Sequence, residues 1–348
     1  MSSDQRAPRR GPVTLAEVAR TAGVSPATAS FVLSGRGSAR SSGSRETKAK
    51  VRAAAEELGY VPNRNAQAMR TGRGGGIVLA LGDLADPWGV QLTNQVAADA
   101  LEHDFSTLVL ADERWFEYLS SASADAAFVT SIDRFPGAPD RVRRLAASVQ
   151  SGIVAFSGIM EPEGFDVISS TPYRAMREAF LRLRARHDRV HLLVQRIGAA
   201  PEAVLSHPRA AAFLDAAREA GDDPSTLARI IEPGGLAAYT SGQEWLTGPD
   251  RPEAVVCFTG YQALSLQMAA MQAGLRLPED LEIIAIGDVP LESQYFGSIS
   301  YYGVDRVFHR YSEVLVGSAL RRGDHPGTLH TFEWEFFPGS TTLDEEPR

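Results

Sequence analysis

The stretch VTLAEVARTAGVSPATASFVL, residues 13–33, constrains the fold more than any other part of the chain. Leu15, Val18 and Ala19 recur at helical spacing, Gly23 interrupts, and Ser25-Pro26 opens a second helix. Serine is a favoured N-cap, and proline at the first helical position lacks only an N–H that would have no partner there. Two short helices joined by a glycine turn form a helix-turn-helix, which is too small to bury a core alone. Residues 44–58 supply a third helix: Ser44 precedes it, Val51, Ala54, Ala55 and Leu58 form its apolar stripe, and Gly59 ends it.

Charge is distributed unevenly along the 348 residues. Residues 1–75 hold 13 of the 35 Lys/Arg and 5 of the 43 Asp/Glu, a balance of +8. The remainder holds 22 and 38, or −16, against −8 for the whole. A basic head on an acidic body suits a protein whose one end sits on phosphates while the other avoids them. No apolar run reaches the length of a membrane span, and the polar start (Arg6, Arg9, Arg10, Gly11, Pro12) lacks a signal-peptide core, so the expected location is cytoplasmic. The single Cys257, in a Val-Val-Cys-Phe context, reads as buried strand.

The motif V-T-L-x-x-V-A-x-x-A-G-V-S-x-x-T-x-S, followed by E-L-G-Y-V-P-N-R and A-Q-A-M-R, resembles the headpiece and hinge of the lactose-repressor/galactose-repressor (LacI/GalR) family. The resemblance implies a sequence-specific DNA-binding regulator, expected to repress, that reads a near-palindromic operator as a homodimer. It implies base contacts from the second helix through Ser25, Pro26, Ala27, Thr28, Ser30 and Phe31. It implies phosphate contacts near Thr14, Ser34, Tyr60 and Asn63, and a hinge over residues 63–70 in which Ala66, Met69 and Arg70 meet the minor groove. Met69 stands where relatives usually carry a wedging leucine. The second helix lacks Arg, Asn and Gln, so readout is expected to lean on Thr28, Ser30 and apolar contact with thymine methyls. Several residues have two readings: Ser25 and Thr28 as caps only, Phe31 as headpiece packing, and Met69 as a linker junction without DNA contact.

Residues 1–12 read as a disordered tail, 13–62 as the helix-turn-helix domain, 63–76 as hinge and linker, 77–342 as the core and 343–348 as a tail. Residues 34–44 form a Gly/Ser-rich loop longer than is usual in the family, with Arg36 and Arg40 expected near backbone phosphates. From residue 77 apolar strands at 77–81, 106–110, 126–130, 152–156, 190–195, 254–258 and 281–286 alternate with helices at 89–102, 141–150, 175–186, 208–220 and 263–273. That alternation predicts an α/β core of two doubly wound parallel-sheet lobes, which is similar to the family's periplasmic-binding-protein-like core. Only a brief helix fits between Leu110 and Ala126.

The resemblance also implies an effector cleft between the lobes, where this chain departs from its relatives. Asp86-Pro87-Trp88 matches an Asn/Asp-Pro-aromatic signature, Trp88 serving either to stack on a ligand or to pack the core. Arg209 matches an effector-binding arginine. Thr259-Gly260 stands where relatives have Asn-Asp, and Asp288-Val289-Pro290 where they have aromatic-Asp-Asp, about two residues longer. Asp288 is either the surviving acid or a loop residue. Paired carboxylates accept hydrogen bonds from adjacent sugar hydroxyls, so their loss removes the main reason to expect a monosaccharide among possible sugar or other metabolite effectors. No G-x-S-x-G, H-E-x-x-H or C-x-x-C motif occurs, and His187 and His191 straddle a helix-to-strand transition, so neither an enzyme, a cofactor nor a metal is expected. Two other functions stay open: a regulator whose cleft answers to a protein partner or to nothing, and a sugar-binding protein or enzyme with a vestigial headpiece.

Overall fold

A computed structural model describes residues 13–34, 44–61, 74–82, 87–112, 114–121, 124–134, 137–149, 151–170, 172–196, 201–321, 323 and 325–343. The tail at 1–12, the loop at 35–43, the hinge residues Asn63, Ala66, Met69 and Arg70, Asp86 and residues 344–348 lie outside this set. The chain divides into two compact units, residues 1–74 and 75–348.

In the first unit, α1 (Leu15–Ala22) is closed at its start by a capping box: Thr14 Oγ1 accepts from the Glu17 N–H, and Glu17 Oε2 accepts from the Thr14 N–H at 2.7 Å. Gly23 ends it at φ 66°, where a side chain would be strained, and donates back to Ala19 and Arg20 carbonyls. α2 (Pro26–Ser34) starts on Ser25, whose Oγ accepts from the Thr28 N–H at 3.1 Å. α3 (Arg45–Leu58) is capped by Ser44 and closed by Gly59 at φ 65°. Val18, Ala19, Ala29, Val32, Val51, Ala54 and Ala55 form the shared core, with Val13, Leu15 and Tyr60 packed at its edge. All three helices contribute, so no pair of them would close this core alone.

The second unit contains two six-stranded sheets. The first lobe runs β1 (Gly76–Ala80), α4 (Pro87–Leu101), β2 (Ser106–Leu110), α5 (Trp115–Ser121), β3 (Ala126–Val129), α6 (Ala138–Ser148), β4 (Gly152–Phe156) and β5 (Asp166–Ser169). The second runs α7 (Tyr173–Arg184), β6 (His191–Gln195), α8 (Pro208–Glu219), β7 (Ala228–Ile231), α9 (Gly235–Thr247), β8 (Ala254–Cys257), α10 (Gly260–Gln272), β9 (Glu282–Ile286) and β10 (Ser300–Gly303). The chain then returns through α11 (Val307–Leu320) and β11 (Leu329–Thr331) to the first lobe and ends in the second with β12 (Glu335–Phe337). The strand orders are β11-β5-β4-β3-β1-β2 and β12-β10-β9-β8-β6-β7.

The two doubly wound parallel-sheet lobes expected from the sequence are present; among the described residues every strand pair is parallel except β10 with β12, at the edge of the second sheet. The strand β12 arrives by a three-residue link from β11, a route that delivers it running against β10. β1, β3, β8 and β9 are buried along their whole length, as strands covered on both faces must be. Cys257 is fully buried in β8, as its apolar neighbours predict, and burial pushes its thiol pKa up. The helix α5 has seven residues, in keeping with the space available before β3. In each sheet the order reverses between the first and third strands (β1/β3 and β6/β8), and ligands of such sheets bind beyond the carboxyl ends at that switch point.

Candidate functional sites

The first site is the outer face of α2. Ser25, Pro26 and Ala27 are exposed, Thr28 is half-buried, and Phe31 keeps 40% of its surface. Ala27 and Phe31 lie four apart and so share a face. The structure departs from expectation at Ser30, which is 8% exposed because it shares the inner side of α2 with Ala29. A hydroxyl covered by its own bundle is poorly placed for a base edge. Ser25 and Thr28 carry out the capping expected of them, their oxygens 2.9 Å apart, which leaves Oγ lone pairs and the exposed rim for other contacts. Thr14 is likewise exposed but engaged with Glu17. Tyr60 packs against the headpiece core, and its N–H closes α3 on the Ala55 carbonyl at 2.8 Å. Ser34 ends α2.

The second site lies at the strand ends facing the other lobe. On the first lobe, Thr130 follows β3 and ties down the β1 end, donating to the Ala80 carbonyl at 3.0 Å and accepting from the Gly82 N–H at 3.3 Å. Asp133 accepts from the Ser157 hydroxyl and from the Gly158 N–H at 2.7 Å, joining the ends of β3 and β4. Trp88 sits 5.5 Å from the Phe156 ring and 6.2 Å from both Phe308 and Tyr311. Of its two readings, these contacts favour packing: Trp88 belongs to the margin of the first lobe's core.

On the second lobe, Arg209 stands in the first turn of α8, with Nη1 3.4 Å from the Phe258 carbonyl. Its guanidinium carbon lies 5.5 Å from the Phe258 ring and 5.7 Å from that of Trp334. Burial raises the pKa of Tyr311 in the first lobe, opposed in part by a hydrogen bond with Ser170 and by the charge of Arg209. Thr259 is the N-cap of α10, accepting from the Gln262 N–H at 3.4 Å, so its hydroxyl already has a structural task. A side chain at Gly260 would begin 2.1 Å from the Asp288 carbonyl oxygen. The loop after β9 therefore closes against a position that only glycine fits. Burial pushes the Asp288 pKa up to about 6. Sequence reasoning missed Tyr311, Arg310, Phe332 and Trp334, because no strand or helix had been assigned after residue 286. The aromatic density of residues 332–337 was the available signal.

A third surface spans both lobes. An open groove of about 1080 Å³ runs between α4 on one side and α9, α10 and the turn at Leu291–Tyr295 on the other. Val90, Leu236, Met268 and Leu291 line it and are exposed by 47, 78, 40 and 70%. Exposed apolar surface shared by several elements marks an interaction site. Among the described residues no helix is long and apolar enough to cross a membrane, and no group of His, Cys, Asp and Glu could hold a metal.

Comparison with known proteins gives two family matches: bacterial regulatory proteins, lacI family, over residues 14–63, and a periplasmic binding protein-like domain over residues 181–305. The HTH-type transcriptional regulator AglR of Rhizobium meliloti (strain 1021) is 29% identical over 337 residues, covering 90% of each chain. Among solved structures, the Lac repressor dimer bound to operator and the anti-inducer ONPF superposes with a TM-score of 0.69 at 21% identity, over 96% of this chain and 100% of that one. The transcriptional regulator CelR–cellobiose complex gives 0.58 at 20% identity, over 94% and 99%.

Proposed function

As a member of the LacI family of bacterial regulatory proteins, the chain is a DNA-binding transcription regulator and not an enzyme, and we propose that it represses from a near-palindromic operator as a cytoplasmic homodimer. The observation that carries this reading is the capped three-helix unit whose second helix keeps Pro26, Ala27 and Phe31 at its surface, in the part of the chain with a balance of +8. Such a helix enters the major groove with its first turns against base edges while lysines and arginines hold phosphates. Ala27, Thr28 and Phe31 would read thymine methyls and adjacent edges, and Ser25, Thr14, Ser34, Tyr60 and Asn63 would position the unit. Met69, with Ala66 and Arg70 beside it, would enter the minor groove at the operator centre as an apolar wedge.

The groove between α4 and α9–α10 is the face on which a second copy would sit, since it is apolar and open. Because it draws on both lobes, a change in the angle between them would alter how two copies meet. That change would reach the spacing of the paired DNA-binding units. A small molecule in the cleft beside Arg209 and Asp288 would bias the angle and so the affinity for the operator. Selection of genomic fragments by the purified protein tests the reading: recovery of one near-palindromic sequence supports it, and recovery of fragments without a common sequence contradicts it.

A further inference from the structure

We propose that Asp125 is a positioning residue for DNA binding: its carboxylate clamps the backbone of Gly75 and Gly76 and so fixes where and in which direction the chain leaves the core. The inference rests on the regulator reading above and adds a residue that belongs neither to the reading helix nor to the cleft. One compact unit ends at Gly74 and the next begins at Gly75, within the run Gly74-Gly75-Gly76. Glycines have no Cβ to restrict them, and such a run by itself sets no exit direction. Here it is held. Asp125 Oδ2 accepts from the Gly75 N–H at 2.6 Å and from the Gly76 N–H at 3.1 Å. The Gly76 carbonyl accepts from the Asp125 N–H at 2.8 Å, and the Gly75 carbonyl from the Ser106 N–H at 2.9 Å. Gly75 takes φ 68°, in the left-handed region that favours glycine.

The register explains why a side chain makes these bonds. The β1–β3 ladder starts with Ile77 opposite Ala126, so Asp125 stands one residue before β3, level with Gly76. The carbonyl before it, that of Ala124, is engaged by the Ser151 hydroxyl at 2.7 Å. The Asp125 carboxylate takes over as acceptor, and a charged acceptor binds N–H groups more strongly than a neutral one. Among the described residues it has no other partner, so both of its bonds go to the linker backbone. Gly75 lies outside β1, and the bond to its N–H therefore fixes the backbone just before the strand. At the other end of β1, Thr130 of the β3 segment holds the Ala80 carbonyl and the Gly82 N–H. With side chains of one segment at both ends, β1 moves with its sheet and carries the linker with it. Two copies must present their DNA-binding units to the half-sites at one spacing, and a linker held at its start needs less ordering when they do. An open clamp would add Gly75 and Gly76 to the free segment. That weakens the specific complex and spares non-specific binding, in which phosphate contacts dominate.

The test uses the full chain, the duplex it selects from genomic fragments and a random duplex of equal length. Asp125→Ala should weaken binding to the selected duplex ~5–20-fold and to the random duplex by less than ~2-fold. Asp125→Asn keeps an acceptor oxygen and should recover most of that loss. Thr341→Val, which removes two buried hydrogen bonds in the second sheet, is the destabilised control and should bind both duplexes as the wild type does. Hydrogen exchange supplies a readout without DNA: the Gly75 and Gly76 amides should be protected in the wild type and exchange ~10–100-fold faster in Asp125→Ala. Unprotected wild-type amides would overturn the proposal whether or not the variants fold. So would equal losses on the two duplexes, no recovery in Asp125→Asn, or a loss in Thr341→Val as large as in Asp125→Ala. If the wild type distinguishes no duplex, the regulator reading fails and the role of Asp125 with it. If it does and Asp125→Ala binds equally well, only the role of Asp125 is rejected.

Discussion

Arg209 and Trp334 are 125 residues apart in sequence yet meet with the guanidinium carbon 5.7 Å from the indole ring. Arg209 belongs to the helix that starts beside the second lobe's switch point, and Trp334 to the last link between the sheets. Any rotation of one lobe on the other that bends this link changes the contact. A ligand bound beside Arg209, as proposed above, would then act on the same contact that responds to the lobe angle.

Asp288 gives a pH prediction. Its folded pKa is raised to about 6 from an ordinary 3.8, by burial. A carboxyl whose folded pKa is raised adds stability below its unfolded pKa, and that contribution is lost as pH rises through the folded value. The core should thus lose up to ~3 kcal/mol between pH 4 and 7 from this group. Asp288→Asn should raise Tm at pH 7.5 and leave it nearly unchanged at pH 4, measured by thermal melts in matched buffers. Equal effects at both pH values would refute the assignment. Tyr301, whose own pKa is raised by burial and by the charges of Asp288 and Asp305, faces the same site and should shift downward in the variant.

Ser25→Ala removes the oxygen that accepts from Thr28 N–H. Loss of such a cap costs ~1 kcal/mol. The first unit should melt or exchange amide hydrogens more readily while the melting of residues 75–348 is unchanged, because the two are separate compact units. Hydrogen exchange resolved by segment would check this; parallel destabilisation of the core would contradict it.

A charge on the apolar groove should separate copies. Leu236→Glu, at a position 78% exposed, disturbs no packing within one chain but buries a carboxylate if a second copy sits there. Sedimentation velocity should show the wild type as a dimer and the variant shifted to monomer, with unaltered Tm at low concentration. A dimer of undiminished affinity would place the interface elsewhere.

For the hinge, Met69→Gly should weaken binding to the selected operator ~10-fold or more while non-specific binding changes little, since unstacking matters only at the central step. Competition binding against random duplex measures both. Equal losses on the two would show that Met69 does not wedge.

The first unit was legible from sequence because its information is local: Gly23, Ser25, Ser44 and Gly59 are caps and stops whose residue types announce their geometry. Of the parallel strands up to Ile286, all but β5 and β7 were legible for a related reason, their apolar runs. What escaped was non-local. β5 opens on the buried Asp166, held by Arg321 at 2.9 Å and the Thr328 N–H at 2.8 Å, so no apolar run marks its start. β11 and β12 have three residues each, too few to show a strand period in the sequence. The cleft residues Tyr311 and Trp334 come from those late segments, and only the return of the chain between lobes brings them to Arg209. Ser30 shows the reverse error, a polar residue assigned outward that the bundle covers.

The central claim concerns DNA, and the affinity of the intact protein for its selected operator, compared with a scrambled duplex of equal length across a salt series, tests it most directly. The account predicts at least ~1000-fold tighter binding to the operator near physiological salt, and affinities for both duplexes that fall with rising salt as phosphate contacts are screened. Equal affinity for the two duplexes at every salt concentration would contradict it.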